Sequence, residues 1–112
     1  METQEVVEKM AVHLLRLAAT ELPRDVKEAL RRAHREEESE NGKTQLEAIL
    51  KNIELAEKTG TPLCQDTGTI HFYVKAGAQA ENLEKIEGAL RSATQRATTE
   101  VPLRPNAIDP FT

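Results

Sequence analysis

The residues best suited to chemistry lie in one short stretch, Cys-Gln-Asp-Thr-Gly at residues 64–68. It places the only cysteine of the chain beside an amide, a carboxylate and a hydroxyl. Pro62 restricts the backbone before the stretch and Gly68 permits a turn with positive φ, so the side chains between them should lie on a sharply shaped connector. Loops held by rigid elements are common positions for catalytic groups, and this loop could therefore carry chemistry.

A simpler interpretation of the same stretch involves no chemistry. Asp66, Thr67 and Gly68 would form an ordinary turn, closed by a hydrogen bond that the aspartate side chain accepts. Cys64 would be a small buried hydrophobic residue. From the composition alone, this second interpretation is the better supported one.

The composition excludes several classes of protein. The chain has 112 residues, enough for one domain with a single modest core. Its net charge is −4, and its 15 basic and 19 acidic residues are interleaved, so nothing indicates a nucleic-acid-binding patch. The N-terminus is acidic where a targeting peptide would be basic, and no apolar run approaches the ~20 residues that span a bilayer. We therefore expect a soluble cytoplasmic protein that does not enter membranes.

The small number of metal-binding residues limits what the chain can hold by itself. Cys64 has no second cysteine with which to form an internal disulfide. For the same reason, no metal site can be built from cysteines of this chain alone. His13 has no ligand partner at helical spacing and is predicted to be a partly covered surface residue.

Four segments with the 3.6-residue hydrophobic period of amphipathic helices should position the stretch. Thr3 can cap the first helix, and Asn82 can cap the fourth. Gly60 predicts the end of the third helix, which therefore delivers the chain to residues 64–68. The charged end of the second helix should fray into residues 39–42. The predicted helices are 3–22, 23–38, 43–59 and 82–98.

Residues 70–75 change to the two-residue period that is typical of a strand with one buried face. Ile70, Phe72 and Val74 form the apolar side of this pattern. From Val101 onward, repeated prolines predict an irregular, exposed arm. The predicted fold class is therefore α+β and predominantly helical, with about four helices and a short strand after the Cys-Gln-Asp-Thr-Gly loop.

The sequence Pro-Leu-Cys-Gln-Asp-Thr-Gly at residues 62–68 resembles the first cluster-binding motif of the iron–sulfur hydro-lyases. This family comprises class I fumarate hydratases and the alpha subunit of L-tartrate dehydratase. Two flanking segments, residues 52–56 and 101–110, are similar to segments at comparable spacing in the same family. The pentapeptide alone is moderately specific, and the three ordered matches together are much more so.

The resemblance implies a role for each of four residues. In the family, three cysteines hold a [4Fe-4S] cluster whose fourth iron stays open to substrate, and Cys64 matches the first of these ligands. Gln65 and Asp66 match positions that contact the substrate, with Asp66 as the catalytic group that moves a proton. Arg104 matches an arginine that clamps a substrate carboxylate, a task that suits the fork of donors on a guanidinium.

The same resemblance implies that the chain is incomplete. Because the second and third cluster cysteines are absent, we expect residues 1–112 to be a single domain, the N-terminal part of a longer hydro-lyase alpha domain. The fragment alone should be inactive and should not hold a stable cluster. The complete enzyme would add or remove water on a small dicarboxylate, first fumarate or malate and next tartrate. Its expected partners are a complementary beta subunit or C-terminal domain and further copies of itself.

An alternative interpretation of the same residues is that the protein is not an enzyme. The chain would then be a small helical protein-interaction module. Its amphipathic helices would pair with themselves or with another protein, and its cysteine would be inert.

Overall fold

The computed structural model describes residues 2–66 and 68–105, and within these ranges the chain forms four α-helices. They occupy the four segments in which the sequence predicts helices. The ends agree to within about three residues, as expected where caps decide the boundary. The helices are α1 (Thr3–Thr20), α2 (Arg24–Glu36), α3 (Glu40–Thr59) and α4 (Leu83–Glu100).

The helices pack mainly as two pairs, α1 against α4 and α2 against α3. On α4, Ala89, Ala93 and Ala97 are fully buried and spaced four residues apart, so they lie along one face of the helix. On α1, Ala11 and Val12 pack against Ala93. Because alanine side chains are small, the backbones of the two helices can approach closely. None of the four described helices is long and apolar enough to cross a membrane.

The segment after α4 folds back onto this helix pair. Val101 and Leu103 are 3% and 6% exposed and pack against Ala97. The backbone N–H of Leu103 also donates to the carbonyl of Ala97 at 3.3 Å. The prediction of irregular structure is confirmed for residues 101–105, but the prediction that this arm is exposed throughout is wrong. Burial of the Val101 and Leu103 side chains on α4 removes apolar surface from water, and the free energy of this burial favours the folded-back position of the arm.

The start of α3 also differs from the sequence prediction, because residues 40–42 are helical and do not fray. Ser39 caps the helix, and its hydroxyl oxygen accepts a hydrogen bond from the N–H of Gly42 at 3.0 Å. The Glu37 carboxylate in turn accepts from the N–H of Ser39 at 3.0 Å and from its hydroxyl at 3.1 Å. These two hydrogen bonds hold the pKa of Glu37 below its ordinary value.

The predicted strand at residues 70–75 is absent, and the described part of the chain contains helices but no sheet. The α+β class is therefore wrong, and the observed fold is all-helical. Phe72 and Val74 are 36% and 56% exposed, and Tyr73 between them is 95% exposed. A two-residue period becomes a strand only when a neighbouring strand accepts its backbone hydrogen bonds, and the described residues provide no such neighbour.

Candidate functional site

The loop that contains Cys64 begins at a well-defined helix end. Gly60 follows α3 in the left-handed conformation, with φ of 67°, as the sequence predicted for a glycine stop. The N–H groups of Gly60 and Thr61 both donate to the carbonyl of Ala56, at 2.9 and 3.3 Å. The hydroxyls of Thr59 and Thr61 lie 2.7 Å apart and share a hydrogen bond. These contacts fix the direction in which the chain leaves the helix.

Leu63, immediately before the cysteine, ties the loop to two helices. Its N–H donates to the carbonyl of Ala19, at the end of α1, at 2.8 Å. Its carbonyl accepts a hydrogen bond from the side-chain amide of Asn52, on α3, at 2.7 Å. Both polar groups of the Leu63 backbone are thus held by rigid elements, as a site on a loop requires.

Among residues 64–66 and 68, the side chains of Cys64, Gln65 and Asp66 lie at the surface, and two hydrogen bonds form a turn. The thiol of Cys64 donates to the carbonyl of Asp66 at 3.1 Å, and the Asp66 carboxylate accepts from the N–H of Gly68 at 3.1 Å. Gly68 has φ of 68°, the positive value that the sequence pattern anticipated. The turn interpretation is therefore correct for Asp66 and Gly68. The same interpretation predicted that Cys64 is a small buried hydrophobic residue, and this is wrong because Cys64 is exposed.

Three of the four predicted site residues line one open groove with a volume of about 700 Å³. Cys64 and Gln65 lie on its first wall, and Arg104 lies on its second. Burial of Leu103 on α4 explains the second wall, since it brings the next residue to the loop although 40 positions separate Arg104 from Cys64. The walls are residues 61–65 and 102–104.

Asp66, the fourth predicted residue, lines a neighbouring cavity of about 320 Å³. Cys64 borders both spaces and lies where they adjoin. The floor of the second cavity is apolar and comes from α1, through Leu15, Ala18 and Ala19. The other three predicted residues, Gln65, Asp66 and Arg104, therefore all line spaces that Cys64 borders.

Two nearby residues were not predicted as part of the site. His71 lines the same cavity as Asp66, whereas the two-residue period of residues 70–75 predicts it on the polar side of a strand, opposite Ile70 and Phe72. Asn52 holds the loop through Leu63, and its only signal in the sequence was its position in the similar segment 52–56. The role of Asn52 could not be recognised without the relative placement of α3 and the loop, nor that of His71 without the placement of α1.

The described residues can supply one ligand to a metal cluster but cannot form a complete site. Within them, no group of three or more histidine, cysteine, aspartate or glutamate residues could hold a metal ion. Cys64 nevertheless fits the part of a single thiolate ligand, because its sulfur is at the surface and borders both cavities. Any further cysteine ligands would have to come from outside this sequence.

Comparison with protein families identifies the chain. The family model for fumarate hydratase (Fumerase) matches residues 8–112, almost the whole sequence. The chain belongs to the fumarate hydratase family. The resemblance drawn from residues 62–68 and their flanking segments is thereby confirmed.

Curated relatives in this family carry the name of an alpha subunit. A putative L(+)-tartrate dehydratase subunit alpha from Methanocaldococcus jannaschii is 44% identical over 108 residues, which are 95% of this chain and 38% of that protein. The L(+)-tartrate dehydratase subunit alpha of Escherichia coli is 35% identical over 95 residues, which are 85% of this chain and 31% of that protein. The chain therefore spans less than two fifths of the length of either relative.

Proposed function

We propose that this chain forms one side of the active site of an iron–sulfur-dependent hydro-lyase. The observation that supports this most directly is the groove in which Cys64, Gln65 and Arg104 meet, with Asp66 lining the adjoining cavity. These are the residues to which the family resemblance assigns ligand, substrate-binding and catalytic roles. We assign the activity to a longer protein, because the chain covers only 38% and 31% of the length of the two relatives.

Cys64 would hold one iron of a [4Fe-4S] cluster as a thiolate. Its thiol now donates to the carbonyl of Asp66, so this hydrogen bond must break when the sulfur loses its proton. When bound, the cluster would supply a Lewis acid that polarises the hydroxyl lost from the substrate. A lone cysteine does not hold such a cluster, and the isolated chain should therefore be inactive.

The other three residues suit the two ends of a hydroxy dicarboxylate. Arg104 would bind one carboxylate through paired N–H donors, and this fixes the orientation of the substrate in the groove. The Gln65 amide would hydrogen-bond the hydroxyl or the second carboxylate. Asp66 would accept or return the proton that accompanies water, and the hydrogen bond from Gly68 keeps its carboxylate in place.

The names of the family and of its relatives support a proposal for the substrate class and for the partner. The family name points to fumarate and malate, whereas both relatives described above are named for L(+)-tartrate. All three are small dicarboxylates, and we propose this class as the substrate. Because the relatives are alpha subunits, we also propose a complementary beta subunit or C-terminal domain as the partner, in a cytoplasmic, homo-oligomeric enzyme.

Substitutions in the longer protein that contains this segment test the proposal. Cys64→Ser should abolish both the cluster absorbance and the turnover. Asp66→Asn should keep the absorbance and lose turnover by about 100-fold or more, the usual contribution of a positioned proton-transfer group. Arg104→Lys should chiefly raise KM for the dicarboxylate, because a point charge replaces a bidentate fork.

Arg91→Lys is the matched control for the arginine substitution. Arg91 is an exposed residue of α4, paired with Glu87 and away from the groove, so its replacement should leave KM unchanged. Retention of both cluster and activity by Cys64→Ser would show that the cysteine is inert and would refute its assignment as a cluster ligand.

A further inference from the structure

The peptide bond that joins Leu63 to Cys64 is fixed by a side chain from another element. Its carbonyl oxygen, that of Leu63, accepts the 2.7 Å hydrogen bond from the Asn52 amide. The N–H of Leu63 is bound to the backbone carbonyl of Ala19. Of these two anchors on the Leu63 backbone, the Asn52 bond is the one that involves a side chain, so it is the anchor that a substitution can remove.

Asn52 is well placed to act as a rigid donor. The residue after it, Ile53, is 5% exposed, and Ala56 one turn further is 3% exposed, so this part of α3 is held by its buried face. Asparagine is a poorer helix former than alanine, and the helix tolerates it here at a mid-helix position. The bond to Leu63 offsets that cost and connects α3 to the loop 11 residues later.

We propose that Asn52 is a positioning residue for Cys64. By holding the Leu63 carbonyl, it sets the backbone from which the thiol projects and keeps the sulfur within reach of the Asp66 carbonyl, 3.1 Å away. The role of Cys64 as a cluster ligand rests on the proposed function. The effect of Asn52 on the position of the thiol is independent of that function and can be measured in this chain alone.

The test is the rate at which iodoacetamide alkylates Cys64, the only cysteine of the chain. Asn52→Ala removes the donor, and Asn52→Asp keeps the size of the side chain while replacing the donor with a carboxylate at neutral pH. In both variants the Leu63 carbonyl loses its side-chain donor, so the loop should leave the observed conformation more often. The thiol should then lose its hydrogen bond to the Asp66 carbonyl more often. We expect alkylation to accelerate about 2- to 10-fold, the factor that corresponds to one net protein hydrogen bond.

Two control variants separate positioning from general stability. Gln45→Ala removes an exposed amide two helical turns earlier on α3, where it makes no side-chain hydrogen bond within the described residues, and should leave the rate unchanged. Ile53→Val should lower the urea midpoint through a small core defect, again without faster alkylation of the native state.

The proposal is overturned if both Asn52 variants react at the wild-type rate. It is also overturned if Ile53→Val accelerates alkylation as much as they do, since the effect would then be one of general stability. Cluster absorbance and turnover in the longer protein test the hydro-lyase separately. Failure of either proposal is therefore distinguishable from failure of the other.

Discussion

Replacing Leu103 with alanine should both destabilise the fold and separate the two walls of the groove. Leu103 is 6% exposed and packs with Val101 on Ala97, and partly buried side chains of α1 and the loop complete its surroundings. The substitution removes about three carbon atoms from this cluster, at about 0.8 kcal/mol for each buried group. Because the site borders open grooves, the added cavity cost should be small, and we expect a loss of about 2–3 kcal/mol.

Urea unfolding followed by circular dichroism at 222 nm measures this loss as a lower midpoint with an unchanged slope. In a thermal scan, the same loss corresponds to a decrease in Tm of roughly 10 °C for a domain of this size. Leu55→Ala is the matched control, because Leu55 is 58% exposed on α3 and its truncation should cost about 0.5 kcal/mol or less. If the two variants were equally stable, Leu103 would not be packed on α4, and the position of Arg104 at the groove would lose its explanation.

Two further predictions concern the helix cap and the uncovered face of α1. The pKa of Glu37 is lowered by hydrogen bonds from Ser39, so its contribution to stability is present above its ordinary value of 4.5 and is lost as the pH falls through the lower folded value. Glu37→Gln should remove this part of the pH dependence, measured as urea midpoints between about pH 6 and pH 3, and an unchanged profile would contradict the cap described here. On α1, Val6, Met10 and Leu14 are spaced four residues apart and are 43%, 54% and 58% exposed, so the chain should self-associate through them. Met10→Gln with Leu14→Gln should shift sedimentation velocity profiles towards the monomer, whereas a wild-type chain that stays monomeric at high concentration would refute the prediction.

The helices and the chemistry-bearing stretch could be predicted from the sequence because both depend on residues close together in the chain. The 3.6-residue period identified all four helical segments, and Gly60 marked the end of α3. The pentapeptide at residues 64–68 and its flanking segments identified the family, which the family model confirms. The start of α3 was missed because the order of charges suggested fraying, whereas Glu37 and Ser39 form a local hydrogen-bonded cap.

Only the tertiary structure could decide which distant residues meet. The two-residue period at 70–75 predicts a strand, but pairing requires a neighbouring backbone, and the described residues offer none. Arg104 lines the same groove as Cys64 because Leu103 is buried on α4, and Asn52 reaches Leu63 because α3 lies beside the loop. A pattern along the chain records which side chains favour burial or hydrogen bonding. Their partners are fixed by the packing of the helices, and the same packing places the candidate site around Cys64.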